Sequence, residues 1–129
     1  MNLYQEELLD HYRNPRLRRP IAKADFCVSN HNPSCGDSIV VEARVLQEAL
    51  AEVGFEGSGC VISQAAASMV AERLIGVPLA QIGTLGTPFV TSIIKLPLGP
   101  TRMQCALLFL QALQQGIASY QARDTQAPC

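Results

Sequence analysis

Ser38-Ile39-Val40-Val41-Glu42-Ala43-Arg44-Val45-Leu46 alternates, and after Gln47-Glu48-Ala49 the run Leu50-Ala51-Glu52-Val53-Gly54-Phe55 alternates again. In the first run Ile39, Val41, Ala43 and Val45 share one face, opposite Ser38, Val40, Glu42, Arg44 and Leu46. In the second, Leu50, Glu52 and Gly54 oppose Ala51, Val53 and Phe55. A period of two is the signature of a half-buried strand. The two runs predict a hairpin, although its turn lacks the usual Asn-Gly or Asp-Gly pair.

Downstream, Gly57-Ser58-Gly59-Cys60 ends the second strand. A helix is predicted from about Ser63 to Ile75, with Ile62, Ala66, Met69, Val70 and Leu74 as its apolar stripe. Gly76 and Pro78 stop it. Residues 77–100 are rich in Gly and Pro, with one short helix near Leu79–Ile82. The last helix is expected from Arg102 to Arg123, with Thr101 and Gln104 at capping-box spacing. Ala106, Phe109, Leu110, Leu113, Ile117 and Tyr120 fall on one of its faces, and a polar, frayed tail 124–129 ends in Cys129.

Upstream, Asn32-Pro33-Ser34-Cys35-Gly36-Asp37 reads as a loop, and residues 24–31 as a short strand. Residues 3–13 read as a helix with Leu3, Tyr4, Leu8, His11 and Tyr12 at helical spacing, capped by Asn2 with Gln5 and ended by Asn14-Pro15. Arg13, Arg16, Arg18 and Arg19 follow, either as a docking or anion-binding patch or as a solvated loop. Helix, strands, then helices, with no repeat or linker, predict an α+β fold. Helices should pack on one face of a small antiparallel sheet, in a single domain over residues 1–129.

Composition limits the function. Of 129 residues 48% are hydrophobic, so one core can form without staples. A net charge of -1 argues against a general nucleic-acid binder, and with this hydrophobicity it argues against disorder. No apolar run approaches the ~20 residues of a membrane span. The acidic start, Met1-Asn2-Leu3-Tyr4-Gln5-Glu6-Glu7, is unlike a signal peptide, so the chain is expected in the cytoplasm, where thiols stay reduced.

The five cysteines, Cys27, Cys35, Cys60, Cys105 and Cys129, are an odd number. Cys35 opens the hairpin and Cys60 closes it, so hairpin geometry makes them neighbours. Cys105 is placed in the first turn of the last helix. Helix N-termini favour thiolate, the metal-binding and nucleophilic form. Gly36 and Gly59 would let the backbone approach a bulky bound group. Asp37 projects on the same side as Cys35 two residues earlier. Three thiolates and a carboxylate make a four-coordinate set suited to zinc, copper(I) or an iron–sulfur unit. On spacing alone the same cysteines also fit plain burial. His11 and His31 read as structural, with a ligand role as the alternative. Cys27 reads as packed in or beside the sheet, and Cys129 as a terminal thiol.

These motifs resemble the iron–sulfur cluster scaffold family of IscU, SufU and the N-terminal part of NifU, over nearly the whole chain. The similarity rests on Tyr4 to Pro15 with His11-Tyr12-Arg13-Asn14-Pro15, on Asn32-Pro33-Ser34-Cys35-Gly36-Asp37, on Gly57-Ser58-Gly59-Cys60-Val61-Ile62-Ser63, and on Arg102-Met103-Gln104-Cys105-Ala106. The resemblance implies a surface metal site of Cys35, Asp37, Cys60 and Cys105, and Cys35, Cys60 and Cys105 as candidate persulfide acceptors. It implies a scaffold or carrier rather than an enzyme. Such a protein takes sulfur from a cysteine desulfurase, builds a transient 2Fe-2S or 4Fe-4S cluster, and passes it to apo acceptor proteins, with zinc as another occupant of the site. A zinc-bound sulfur acceptor that stimulates a desulfurase, a SufU-type sulfurtransferase role, is the alternative. Gln104 stands where the IscU branch has His. Leu96-Pro97-Leu98-Gly99-Pro100 replaces that branch's Leu-Pro-Pro-Val-Lys chaperone segment, which argues against the chaperone contact.

Overall fold

The computed structural model describes residues 2–33 and 36–122. Their order is α1 (Leu3–Arg13), β1 (Phe26–Asn32), β2 (Asp37–Leu46), β3 (Ala49–Ser58), α2 (Val61–Leu74), α3 (Leu79–Ile82), α4 (Thr87–Ile94) and α5 (Pro100–Ala122). The strands form one antiparallel sheet in the order β1-β2-β3. Helix α5 packs on β1 and β2, α2 on β3 and α5, α1 on α2, and α4 on α2 and α5. This is the predicted α+β arrangement, with helices on one face. Cys35 and the tail 124–129 with Cys129 lie outside the described residues.

The hairpin differs from its predicted form in an instructive way. Its turn is the two residues Gln47 and Glu48, both with positive φ (53° and 64°), and not the three residues Gln47-Glu48-Ala49. Two left-handed residues fit the mirror-image turn that suits the twist of paired strands. Arg44 pairs with Glu52 and Val45 with Leu50, so Ala51 is an extra residue in a bulge. That extra residue puts Leu50, Val53 and Phe55 on one face, and all three are buried. Strict alternation had separated Leu50 from the other two. Glycine at 57 does not break β3, which continues to Ser58. Beyond the turn, Leu50 exchanges backbone bonds with the segment after α2, donating to Val77 and accepting from Gly76.

The covered face carries Phe26 and Val28 from β1, Ile39, Val41 and Ala43 from β2, and Val53 and Phe55 from β3. The rings of Phe55 and Phe109 meet edge-on, with centroids 5.9 Å apart. Each large side chain buried here is worth ~1.5–3 kcal/mol of transfer free energy. Helix α5 lies so close to the sheet at Gly116 that a Cβ there would come within 2.6 Å of the Phe26 ring. The free edge of β3 is covered by the loop after α1. The Phe55 N–H bonds to the Leu17 carbonyl, and Arg18 reaches Glu56 and the Gly57 carbonyl. With Arg16 held by Asp10 at 2.6 Å, both Arg16 and Arg18 of the loop are engaged by the fold, while Arg13 is the last residue of α1.

Other boundaries moved for physical reasons. The α1 capping box of Asn2 and Gln5 is present. Of the residues expected on its apolar face, Leu8 and His11 are buried, whereas Leu3, Tyr4 and Tyr12 are exposed. Helix α4 was hidden in the Gly- and Pro-rich stretch, where Pro88 near its start favours helix and Val90, Ile93 and Ile94 supply the buried side. Helix α5 starts at Pro100, with the Met103 N–H bonded to the Gly99 carbonyl at 2.9 Å. Thr101 is therefore inside the helix and forms no capping box. No helix of the described residues is long and apolar enough to cross a membrane.

Candidate functional site

The site forms where the starts of β2 and α2 meet the second turn of α5 on the covered side of the sheet. Asp37 is the first residue of β2 and is fully buried, because it lies on the face of Ile39, Val41 and Ala43. Cys60 follows β3 directly and is the N-cap of α2. Its sulfur accepts the Ser63 N–H at 3.5 Å, and its carbonyl accepts the Ser63 hydroxyl at 3.1 Å. Helix α2 therefore begins two residues before the predicted Ser63. The reason is that a cysteine sulfur fills the capping role usually taken by a Ser or Asp oxygen. Cys105 comes from α5, where it is buried. Because that helix starts at Pro100, Cys105 lies past the first turn. The expected help from free N–H groups at the helix end does not reach it.

The carboxylate of Asp37 binds the group together. Oδ1 accepts the backbone N–H of Cys60 at 2.8 Å, and the Cys60 thiol faces Oδ2 at 3.9 Å. Ligand atoms of Asp37, Cys60 and Cys105 lie within 4.8 Å of one another. Four-coordinate zinc with Zn–S bonds of ~2.3 Å would set its donors somewhat under ~4 Å apart. Two soft sulfurs and one carboxylate oxygen, converging at this range, fit a thiolate-preferring metal. The side chains differ in access, since Cys60 is exposed and Cys105 is buried.

Gly59 is the spacing element. It has φ +151°, and a Cβ on it would collide with the Asp37 carboxylate and come within 2.9 Å of the Ser63 hydroxyl. Gly36, at φ +72°, meets nothing within 4 Å, so its need for glycine is conformational. The structure thus brings together Asp37, Cys60 and Cys105, with Gly59 beside them. Neither histidine belongs to the group. His31 is exposed on β1. His11 is buried against Ser68, with Nδ1 2.7 Å from Oγ. Cys27 lies half-buried on β1 opposite Glu42 and is not part of the group.

Two residues near the site escaped the sequence reading. Ser63 supplies the N–H that the Cys60 sulfur accepts, and the Cys-x-x-Ser spacing was its available signal. Asn32 is buried at the end of β1, opposite Asp37, with Nδ2 3.9 Å from the Cys105 sulfur. Nothing local marks an Asn before a Pro as anything but a turn residue.

Residues 3–127 match the NifU-like N terminal domain. The chain belongs to this family. Among proteins similar to this member, the zinc-dependent sulfurtransferase SufU of Bacillus subtilis is 28% identical over 133 residues, which cover 90% of each chain. The iron–sulfur cluster assembly scaffold protein IscU of Haemophilus influenzae is 29% identical over 125 residues, covering 94% of this chain and 98% of that protein. The crystal structure of the N-terminal part of a nitrogen-fixing NifU-like protein from Brucella abortus superposes with a TM-score of 0.76. It is 19% identical and covers 94% of this chain and 96% of that one. That likeness shows a shared fold.

Proposed function

We propose that the chain is a scaffold on which an iron–sulfur cluster is assembled from iron and desulfurase-derived sulfur and then passed to apo acceptor proteins. The observation that carries this reading is the convergence of Asp37, Cys60 and Cys105 within 4.8 Å at the edge of a preformed core, in a chain of the NifU-like N-terminal family. Cys35, two positions before Asp37 in the sequence, is proposed as the fourth ligand. The cluster is cargo, so the site has to hold it and let it go. Two or three thiolates give binding. The carboxylate is a harder partner for iron–sulfur units and keeps the assembly labile. Sulfur arriving as persulfide needs a nucleophilic or disulfide-exchanging thiol, and exposed Cys60 is accessible to a partner. A cysteine desulfurase is proposed as the first partner, and the cytoplasm as the place of the work.

Anaerobic reconstitution with iron, cysteine and a desulfurase tests the proposal. The expected product is a visible chromophore that is lost in Cys35→Ser, Cys60→Ser and Cys105→Ser. Formation of the same chromophore by all three variants would refute the reading.

A second reading is a zinc-bound sulfur acceptor that stimulates a desulfurase. Gln104 before Cys105 supports it, because an amide cannot replace a histidine ligand, and so does similarity to a relative named as a zinc-dependent sulfurtransferase. Under this reading desulfurase turnover rises with the zinc-loaded protein and falls back when zinc is removed.

A further inference from the structure

We propose that Asn32 is a positioning residue for Cys105: its side-chain amide holds the sulfur toward Asp37 and Cys60 and withdraws charge from it once a metal is bound. The inference rests on the reading of this site as a metal- and sulfur-binding centre.

It starts from a residue in the wrong place for packing. Along the covered face of β1, Phe26 and Val28 face the core, and Asn32 ends the row with only 8% of its surface exposed. An apolar side chain would serve burial there, because a buried carboxamide costs free energy unless it is hydrogen-bonded. Its register partner is Asp37, so carboxamide and carboxylate stand side by side at the open end of the sheet. Nδ2 of Asn32 is 3.9 Å from the Cys105 sulfur, a long contact that donates an N–H toward it. Asn32 and Asp37 lie five positions apart and are paired across β1 and β2, whereas Cys105, 73 positions beyond Asn32, reaches them only through the packing of α5 on those strands.

The chemistry of the amide suits the task. It donates without carrying charge, and its own atoms are poor competitors for a thiophilic metal. A donor to a thiolate draws electron density from sulfur. Hydrogen bonds to ligand sulfurs are a recognised control on cluster potential, and partners behind a ligand typically change metal affinity 10–100-fold.

Cobalt(II) binding to the whole chain provides the test, because thiolate-to-cobalt charge-transfer bands report the sulfur directly. Asn32→Leu keeps the volume and removes the donor. It should shift the charge-transfer band to lower energy and weaken cobalt binding about 10–100-fold, with the unfolding midpoint recorded on the same samples. Asn32→Gln keeps a carboxamide and should recover part of both effects. If Asn32→Leu does not fold, Asn32→Ser against Asn32→Ala makes the same comparison of donor with no donor. An unshifted band in the donor-free variant, whatever its affinity, overturns the inference. A wild-type protein that binds cobalt without any thiolate band would overturn the metal-site reading itself, and this inference with it.

Discussion

Oδ1 of Asp37 accepts the backbone N–H of Cys60 at 2.8 Å, so the first residue of β2 caps the entry to α2 while its second oxygen faces the Cys60 sulfur. One carboxylate thus fastens the hairpin to the helix and presents a ligand atom. It is fully buried, and no ion pair of the described residues includes it. A buried carboxylate without a cation is costly.

Asp37→Asn keeps the acceptor for Cys60 and removes the charge. The metal-free protein is expected to gain about 1 kcal/mol or more, seen as a higher urea midpoint. Zinc affinity, measured by chelator competition, should fall at least ~10-fold for want of the anionic ligand. A lower midpoint together with unchanged zinc affinity would contradict both roles.

Gly59→Ala places a methyl group against the Asp37 carboxylate and the Ser63 hydroxyl, at a φ that side chains rarely adopt. A cost of ~1–3 kcal/mol is expected, with loss of tight metal binding because the carboxylate must move. Thermal unfolding with and without zinc checks it, and the zinc-dependent rise in the midpoint should disappear.

Cys60 is exposed and Cys105 buried, so a thiol-alkylating reagent should modify Cys60 at least ~10-fold faster in the folded metal-free protein. Peptide mapping by mass spectrometry resolves the two sites. Equal rates would mean that α5 does not shield its cysteine.

His11 connects α1 to α2. Its Nδ1 lies 2.7 Å from the Ser68 hydroxyl, which also accepts the Arg16 N–H at 2.8 Å, and Nε2 is 3.6 Å from Glu72. Burial first, and Arg16 second, hold His11 below its ordinary value of 6.5, against the opposing pull of Glu72, Glu7 and Asp10. The unfolded chain therefore binds more protons than the folded one across this window. The stability from neutral His11 is fully present above pH 6.5 and is lost as pH falls from there through the folded-state value. Urea midpoints between pH 7 and 5 should decline, and His11→Asn should decline less steeply.

Gln47 and Glu48 both adopt left-handed backbone angles, which cost ~1–2 kcal/mol per side-chain-bearing residue. Replacing the pair by Asn-Gly should raise stability by about 1 kcal/mol after the larger entropy loss of glycine is counted. The circular-dichroism melting temperature checks it, and the metal site should be unaffected.

Much of the fold is written in local pattern. Alternation marked β2, and apolar spacing with Asn2, Gly76 and Pro78 marked α1 and α2, because period and capping need only neighbouring residues. Local pattern failed where a distant partner decided the outcome. Ala51 became a bulge because Leu50 had to join Val53 and Phe55 in the core. Helix α4 was obscured by prolines that in fact suit a helix start.

By itself, the amino-acid sequence determined the α+β class, the hairpin and a set of side chains whose chemistry suits a soft metal. Those properties follow from side-chain chemistry and short-range geometry. Only the tertiary structure decided how they act together. It buried Asp37 and tied it to Cys60, left Cys60 open and Cys105 covered, and set Asn32 against the Cys105 sulfur. Exposure and donor distances come from how α2 and α5 pack on the sheet, and that packing joins residues no local pattern relates.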